Sequence, residues 1–199
     1  MLNDRSGLWC VILAAGASSR LGKPKQLIQY RGRPLLLHAA SAATSISPKQ
    51  TIVVLGAHSL RLRALLARHL QHVSVIVNHQ WGSGMASSLI FGLKALPSSA
   101  RAALLMLSDQ PRIDAHSLGR LVKAWRTKPS VPAASYFSET IGAPTILPKQ
   151  YWADIKLLSG DTGARSLLKQ FDINTTAVAM PEAALDIDTD EDLKRLKKL

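Results

Sequence analysis

The chain has 199 residues, 47% of them hydrophobic and 19% charged, enough for one globular domain with a substantial core. A single cysteine, Cys10, excludes an internal disulfide framework, and no uninterrupted apolar run approaches the ~20 residues that span a bilayer, so a cytoplasmic protein without membrane contact is expected. Lys and Arg number 25 against 13 Asp and Glu; the formal charge of +12 favours polyanionic partners without saying which.

In chain order, a first strand is predicted over residues 8–14, and it runs straight into Ala15-Gly16-Ala17-Ser18-Ser19-Arg20-Leu21-Gly22-Lys23-Pro24-Lys25. Small side chains let the backbone approach a bulky ligand and turn its N–H groups towards phosphate oxygens. Arg20, Lys23 and Lys25 add charge at the end of the loop. A Walker A loop is excluded, because five residues separate Gly16 from Gly22 and Pro24 follows Lys23. A dinucleotide fingerprint is excluded because only two of its three glycines are present. Residues 8–15 imitate the apolar core of a secretion signal, but Asp4 and Arg5 cancel in the leader, which lacks the usual positive start. The plain alternative is a buried strand followed by a glycine turn.

Helical patterns then occupy residues 34–44, 59–70, 83–96 and 114–126, alternating with strand-like runs at 50–55, 73–77 and 102–107. Continuous apolar strands separated by helices predict an α/β fold of three layers, a mostly parallel sheet covered on both faces. Ligands of such sheets bind outside the carboxyl ends of the strands, the edge that carries both the first loop and Ser108-Asp109-Gln110-Pro111. Short strands are expected near 132–137 and 143–147, a helix over 164–171 and a last helix running to residue 198, all within one domain without repeats.

Asp109, at the end of a buried strand, is costly to leave unpaired, so it either caps the turn at Pro111 or holds a metal. A second acidic group, Asp186-Ile187-Asp188, alternates as in a short strand and places both carboxylates on one face. Thr189 or Asp190 is the expected cap of the last helix. Magnesium takes one or two protein carboxylates and completes its shell with water and phosphate, which Asp109 with Asp188 would meet. The Gly82–Ser88 stretch opens the third long helix and can offer its N–H and O–H groups to a base or ribose; the plain alternative is a cap by Ser83 with the glycines there for close packing.

Basic clusters at Arg61/Arg63/Arg68 and Lys194/Arg195/Lys197/Lys198 raise the question of nucleic acid, but aromatics are 5% of the chain and no helix-turn-helix, zinc-finger or RNP pattern is present. The six histidines lack paired zinc spacing, no Gly-x-Ser-x-Gly elbow exists, and Cys10 reads as an inert strand residue.

Six motifs in order resemble the MobA/MocA-type nucleotidyltransferases, and within them the molybdenum cofactor cytidylyltransferase branch. They are Leu13-Ala14-Ala15-Gly16 with Ser18, Arg20, Gly22 and Lys25; Asn78 with Gly84-Met85-Ala86-Ser87-Ser88; Asp109-Gln110-Pro111; Gly142 with Pro144; Gly160-Asp161-Thr162-Gly163-Ala164-Arg165; and Asp186-Ile187-Asp188-Thr189. The resemblance implies a Rossmann-like nucleotidyltransferase fold with a nucleotide-binding half over about 1–112 and an acceptor-binding half over about 113–199. It implies CTP on Leu13, Ala14, Ala15, Gly16, Ser18, Lys25, Asn78, Gly84, Ser87 and Ser88, and Mg²⁺ on Asp109 and Asp188. Catalytic roles fall to Lys25, Arg20 and Asp109. A molybdopterin-type acceptor falls to Gly142, Pro144, Asp161 and Arg165, with a molybdoenzyme as the onward recipient. Ala15, where guanine-using members more often carry glycine, favours cytosine; GTP-dependent guanylyl transfer and a non-catalytic cofactor-binding chaperone are the alternatives. Asp161 serves equally as a helix cap, and Gly142 with Pro144 as a bare turn. Asp190 stands where the family commonly has proline.

Overall fold

The structure, a computed structural model, describes residues 7–170 and 173–196. Asp4, Arg5, Phe171, Lys197 and Lys198, which entered the reading of the leader, the 164–171 helix and the tail, lie outside the described residues. The strands are β1 (Leu8–Ala14), β2 (Gln29–Tyr30), β3 (Arg33–Pro34), β4 (Thr51–Leu55), β5 (Ser74–Val77), β6 (Ala102–Leu107), β7 (Ala133–Phe137), β8 (Thr140–Pro148) and β9 (Thr176–Ala179). The helices are α1 (Leu35–Ile46), α2 (Ser59–His69), α3 (Met85–Lys94), α4 (Ala115–Thr127), α5 (Ala164–Gln170) and α6 (Asp190–Leu196). Seven strands form one sheet in the order β5-β4-β1-β6-β8-β7-β9, with β2 and β3 pairing as a separate ribbon. Within the sheet β8 alone runs antiparallel to its neighbours β6 and β7.

The apolar runs become strands because both faces of the sheet are covered. Leu8, Cys10, Ile12 and Ala14 of β1 face one core with Leu36 and Leu37 of α1, Leu62 and Leu66 of α2, and Leu118, Leu121 and Trp125 of α4. Val11 faces the other core with Leu89 and Leu93 of α3 and Leu168 of α5. Strict alternation along one strand therefore feeds two cores, and each fully buried leucine contributes about 1.5–3 kcal/mol. A third cluster joins Leu21, Tyr30 and Leu35 to Ile187 and Leu196, fastening the last segment of the chain beneath the first loop.

Two expectations need correction, and a third is narrowed. Residues 186–188 are irregular and form no strand; the segment is held instead by Ile187, which is fully buried and donates its N–H to the Asp109 carbonyl at 3.1 Å. The third long helix begins at Met85, not residue 83, because Gly84 has φ 99° and ψ 177°, outside the helical region. Ser83 consequently sits in a 3₁₀ turn over Trp81–Ser83 and Gly84 takes the cap position. The cap of α6 is Thr189: its hydroxyl accepts from the Asp192 N–H at 3.3 Å, and the Asp192 carboxylate accepts from the Thr189 N–H at 2.9 Å. That is a capping box, which leaves Asp190 free of the cap role. The two-residue strands and β9 have no counterpart among the predicted elements.

Candidate active site

The strand order turns back between β1 and β6, so a crevice opens beyond their carboxyl ends, where ligands of open α/β sheets bind. β1 delivers Ala14, Ala15 and Gly16 to that crevice and β6 delivers Ser108 and Asp109. The first loop is shaped from within. Ser18 adopts a left-handed conformation (φ 58°, ψ 41°), and its hydroxyl accepts from the Lys25 N–H at 3.1 Å. Gln26, almost fully buried, donates from Nε2 to the carbonyls of Ala14 at 3.2 Å and Gly16 at 3.0 Å. The Ala57 N–H donates to the Ala15 carbonyl at 3.0 Å. Gly56 is required beside it, since a Cβ there would stand 2.5 Å from that carbonyl oxygen and 2.7 Å from Cβ of Trp81.

These elements enclose a cleft of about 300 Å³ lined by Leu13, Ala14, Ala15, Gly16, Ser19, Lys25, Gln26, Trp81, Gly84, Ser88, Asp109 and Asp161, among others. The Lys25 ammonium bridges the two acidic segments at its edge, 2.5 Å from Asp109 Oδ2 and 2.5 Å from Asp188 Oδ1. Burial works to lower the Lys25 pKa, but the Asp109 charge, with hydrogen bonds to Asp109 and Asp188, outweighs it and holds the ammonium above its ordinary value of 10.5. Lys25 is therefore a fixed positive charge. Asp186 lies in the same field; burial, followed by repulsion from Asp109 and Asp188, raises its carboxyl above 3.8, with Lys25 opposing.

Asp109 has a divalent-cation donor's character. It is 7% exposed, and while Oδ2 meets Lys25, Oδ1 is buried with no hydrogen-bond partner among the described residues. A second carboxylate, Asp188, is brought to the same ammonium from 79 residues further along the chain. Among the described residues no group of three or more His, Cys, Asp or Glu is placed to hold a metal; the two carboxylates meet at the Lys25 ammonium. A pair of carboxylates is the kind of donor a hard cation uses when it keeps water and phosphate ligands, and does not make a closed zinc site.

The remaining sequence-predicted residues divide between wall, rim and a second cleft. Asn78 is buried and donates from Nδ2 to the hydroxyls of Ser87 and Ser88, each at 3.0 Å, while its Oδ1 accepts from the Gln80 N–H at 3.0 Å. Of these three side chains only Ser88 lines the first cleft; Asn78 and Ser87 brace the turn behind it. Arg20 is exposed and lies outside the lining of both clefts. Gly142, Asp161 and Arg165 line an adjoining cleft, also of about 300 Å³, whose walls include Leu105, Phe137, Met85, Gln110 and Asp186. Pro144 lies outside the lining of both clefts, following a cis peptide bond from Ala143. The two clefts share Leu13, Met85, Leu107 and Asp161.

The clefts are locked together at one point. Gly84 needs both its positive φ and its missing side chain, because a Cβ would lie 2.3 Å from the carbonyl carbon and oxygen of Gly160. The Ala86 N–H donates to that same carbonyl at 3.0 Å. Sequence reasoning missed Gln26, and it gave no role to Gln110 or to the Gly84–Gly160 contact. A glutamine that anchors carbonyls distant in sequence has no local signature, and a glycine pair is legible only once its partner's position is known.

The family model of the MobA-like NTP transferase domain matches residues 10–176. The chain is 34% identical over 199 residues to nicotine blue oxidoreductase of Paenarthrobacter nicotinovorans, spanning 94% of each protein. Its fold is similar to that of Rv0371c of Mycobacterium tuberculosis H37Rv, with a TM-score of 0.82 and 28% identity over 96% of this chain and 98% of that one. It is also similar to the manganese complex of Rv0371c, with a TM-score of 0.79 and 27% identity over the same shares. With a small-residue loop, a lysine and two aspartates meeting at the switch point of the sheet, the chain belongs to the MobA-like NTP transferase family as one of its nucleotidyltransferases.

Proposed function

We propose that the protein transfers CMP from CTP to the terminal phosphate of a molybdopterin-type acceptor and releases pyrophosphate, with Mg²⁺ as the divalent ion. The observation that carries this reading is the Lys25 ammonium held between Asp109 and Asp188 beside the Ala14–Ala17 backbone. In this reading residues up to about 112 hold the nucleotide and those after it the acceptor, with Asp161 reaching both clefts.

An acceptor phosphate oxygen attacks the α-phosphorus, a new P–O bond forms, and the bond to the β-phosphate breaks. The attacking phosphate is already ionised, so no side chain has to remove a proton. The protein's work is alignment and charge neutralisation. The first loop presents backbone N–H groups to the triphosphate, Lys25 carries a charge that burial does not extinguish, and the exposed Arg20 of the same loop adds positive charge for the departing phosphates. Gly84 and Ser88 form the wall for the base and ribose, kept in place by Asn78 and Ser87. Asp109 and Asp188 would hold the magnesium ion, and when bound it would neutralise phosphate charge as a Lewis acid. The unpartnered Oδ1 of Asp109 favours this assignment.

The test is a thermal-shift screen with CTP, GTP, ATP and UTP in the presence of magnesium, followed by pyrophosphate release with the preferred nucleotide and acceptor. CTP is expected to raise Tm most. GTP in its place would make the protein a guanylyltransferase, and binding without pyrophosphate would make it a carrier. A second reading, a redox activity in the same cleft, is favoured by the 34% identity to nicotine blue oxidoreductase. It predicts oxidation of a reduced pyridine dinucleotide with no pyrophosphate formed.

A further inference from the structure

The two carboxylates proposed above for the divalent ion share a cation of the chain's own. Lys25 Nζ lies 2.5 Å from Asp109 Oδ2 and 2.5 Å from Asp188 Oδ1. Magnesium would need such oxygens at about 2.0–2.1 Å. Two cations on one pair of oxygens crowd and repel each other, so the seat serves either the ammonium or a metal ion.

Of Lys25, only the head is free to leave. Its backbone N–H donates to the Ser18 hydroxyl at 3.1 Å, and the next residue, Gln26, is anchored to the Ala14 and Gly16 carbonyls. Beyond that root runs a flexible four-carbon stem, and the residue lines the first cleft beside the Ala14–Ala17 backbone. A triphosphate bound against that backbone offers the ammonium other oxygens. The carboxylates, by contrast, are held together without Lys25. The Ile187 N–H donates to the Asp109 carbonyl at 3.1 Å, Ile187 is fully buried, and the Asp188 N–H donates to the Asp192 carboxylate at 3.2 Å. Removing the ammonium therefore leaves the pair assembled and its charge uncompensated.

We propose that Lys25 gates the carboxylate pair: its ammonium holds the seat against a free divalent ion and yields it when a triphosphate draws the ammonium away. The inference rests on the assignment of Asp109 and Asp188 to the metal made above. Triphosphate and divalent ion thereby strengthen each other's binding, by the same factor in both directions.

The experiment measures binding of manganese alone to the full chain, as loss of the free-ion electron paramagnetic resonance signal. Lys25→Met is expected to bind manganese at least about tenfold more tightly than the wild type. Lys23→Gln removes an exposed charge of the same loop outside the lining of both clefts, and is expected to stay within about twofold of the wild type. If Lys25→Met does not fold, the wild type decides through the scalar coupling across the hydrogen bond from Lys25 Nζ to the Asp109 carboxylate carbon. That coupling is expected in the protein alone and is lost with CTP and magnesium. Manganese bound no more tightly by Lys25→Met, an equal gain in Lys23→Gln, or a coupling that is missing at the outset or survives CTP and magnesium overturns the inference. Because the readout is metal affinity, absence of pyrophosphate beside the Lys25→Met gain would sink the transferase reading and leave this inference standing. Pyrophosphate release with equal manganese binding would do the reverse.

Discussion

The two adjoining clefts are built by different means. The first cleft, proposed to hold the nucleotide, is bordered by the Ala14–Ala17 backbone, which side chains brace from behind: Gln26 donates to the Ala14 and Gly16 carbonyls, the Ser18 hydroxyl accepts from the Lys25 N–H, and Asn78 donates to the Ser87 and Ser88 hydroxyls. The second cleft, proposed to hold the acceptor, is bordered by side chains, among them Leu105 and Phe137, with Asp161 and Arg165 exposed. A ligand read by backbone demands a fixed loop shape and tolerates few residue types, whereas a ligand read by side chains can be exchanged by substitution. If the proposed assignment holds, the nucleotide cleft is the half less open to change by substitution and the acceptor cleft the half more open to it.

The contrast can be broken most severely at the charges. Replacing Lys25 with Met, or Asp188 with Asn, should lower nucleotidyl transfer by about 10²–10³-fold with the fold retained, as read by pyrophosphate release beside circular dichroism. An acceptor-side effect of similar size from Arg165→Ala would erase the asymmetry. Next in size is Gly84→Ala, which forces a side chain onto the Gly160 backbone at a positive φ and should cost about 3 kcal/mol in urea unfolding. Its thermal shift with CTP should shrink as well, because Gly84 lines the first cleft.

Smaller effects come from the helix caps. In α4 the Asp114 carboxylate accepts from the Ser117 N–H at 2.8 Å, and Asp114→Ala should cost about 1 kcal/mol. Burial works to raise the Asp114 and Asp192 pKa values, but the hydrogen bonds from Ser117 and from Thr189 dominate and lower both below 3.8. Their contribution is complete above pH 3.8 and is lost as pH falls through the lower folded values. Acid titration of Asp114→Ala should therefore show a shallower loss of stability below pH 4 than the wild type. Asp186, raised, acts with the opposite sign and contributes most below 3.8. The smallest stability change is expected from Gly16→Ala, within about 0.5 kcal/mol, because a Cβ there meets nothing within 4 Å. Its thermal shift with CTP should nevertheless shrink, since the added methyl enters the cleft.

The parallel half of the sheet was legible because β1, β4 and β6 are continuous apolar runs broken by amphipathic helices. The meeting of Asp109 with the 186–188 segment was legible as chemistry, through the cost of a lone buried carboxylate, although the strand proposed for the segment does not form. Its position depends on Ile187 in the small core with Leu21 and Tyr30, a contact across more than 150 residues that no local pattern encodes. The antiparallel β8, the edge strand β9 and the Gly84–Gly160 contact depend on long-range packing in the same way. That Lys25 stands between the two aspartates was not foreseen either, since the loop had been read as facing phosphate alone.

The central claim is that Asp109 and its neighbours act on a triphosphate. Pyrophosphate release from CTP, with magnesium and a molybdopterin-type acceptor, tests it most directly when wild type and Asp109→Ala are compared at equal folded concentration. The account predicts release by the wild type and none above background from the variant. Release at the wild-type rate by folded Asp109→Ala, or none from CTP, GTP, ATP or UTP with the wild type, would contradict it.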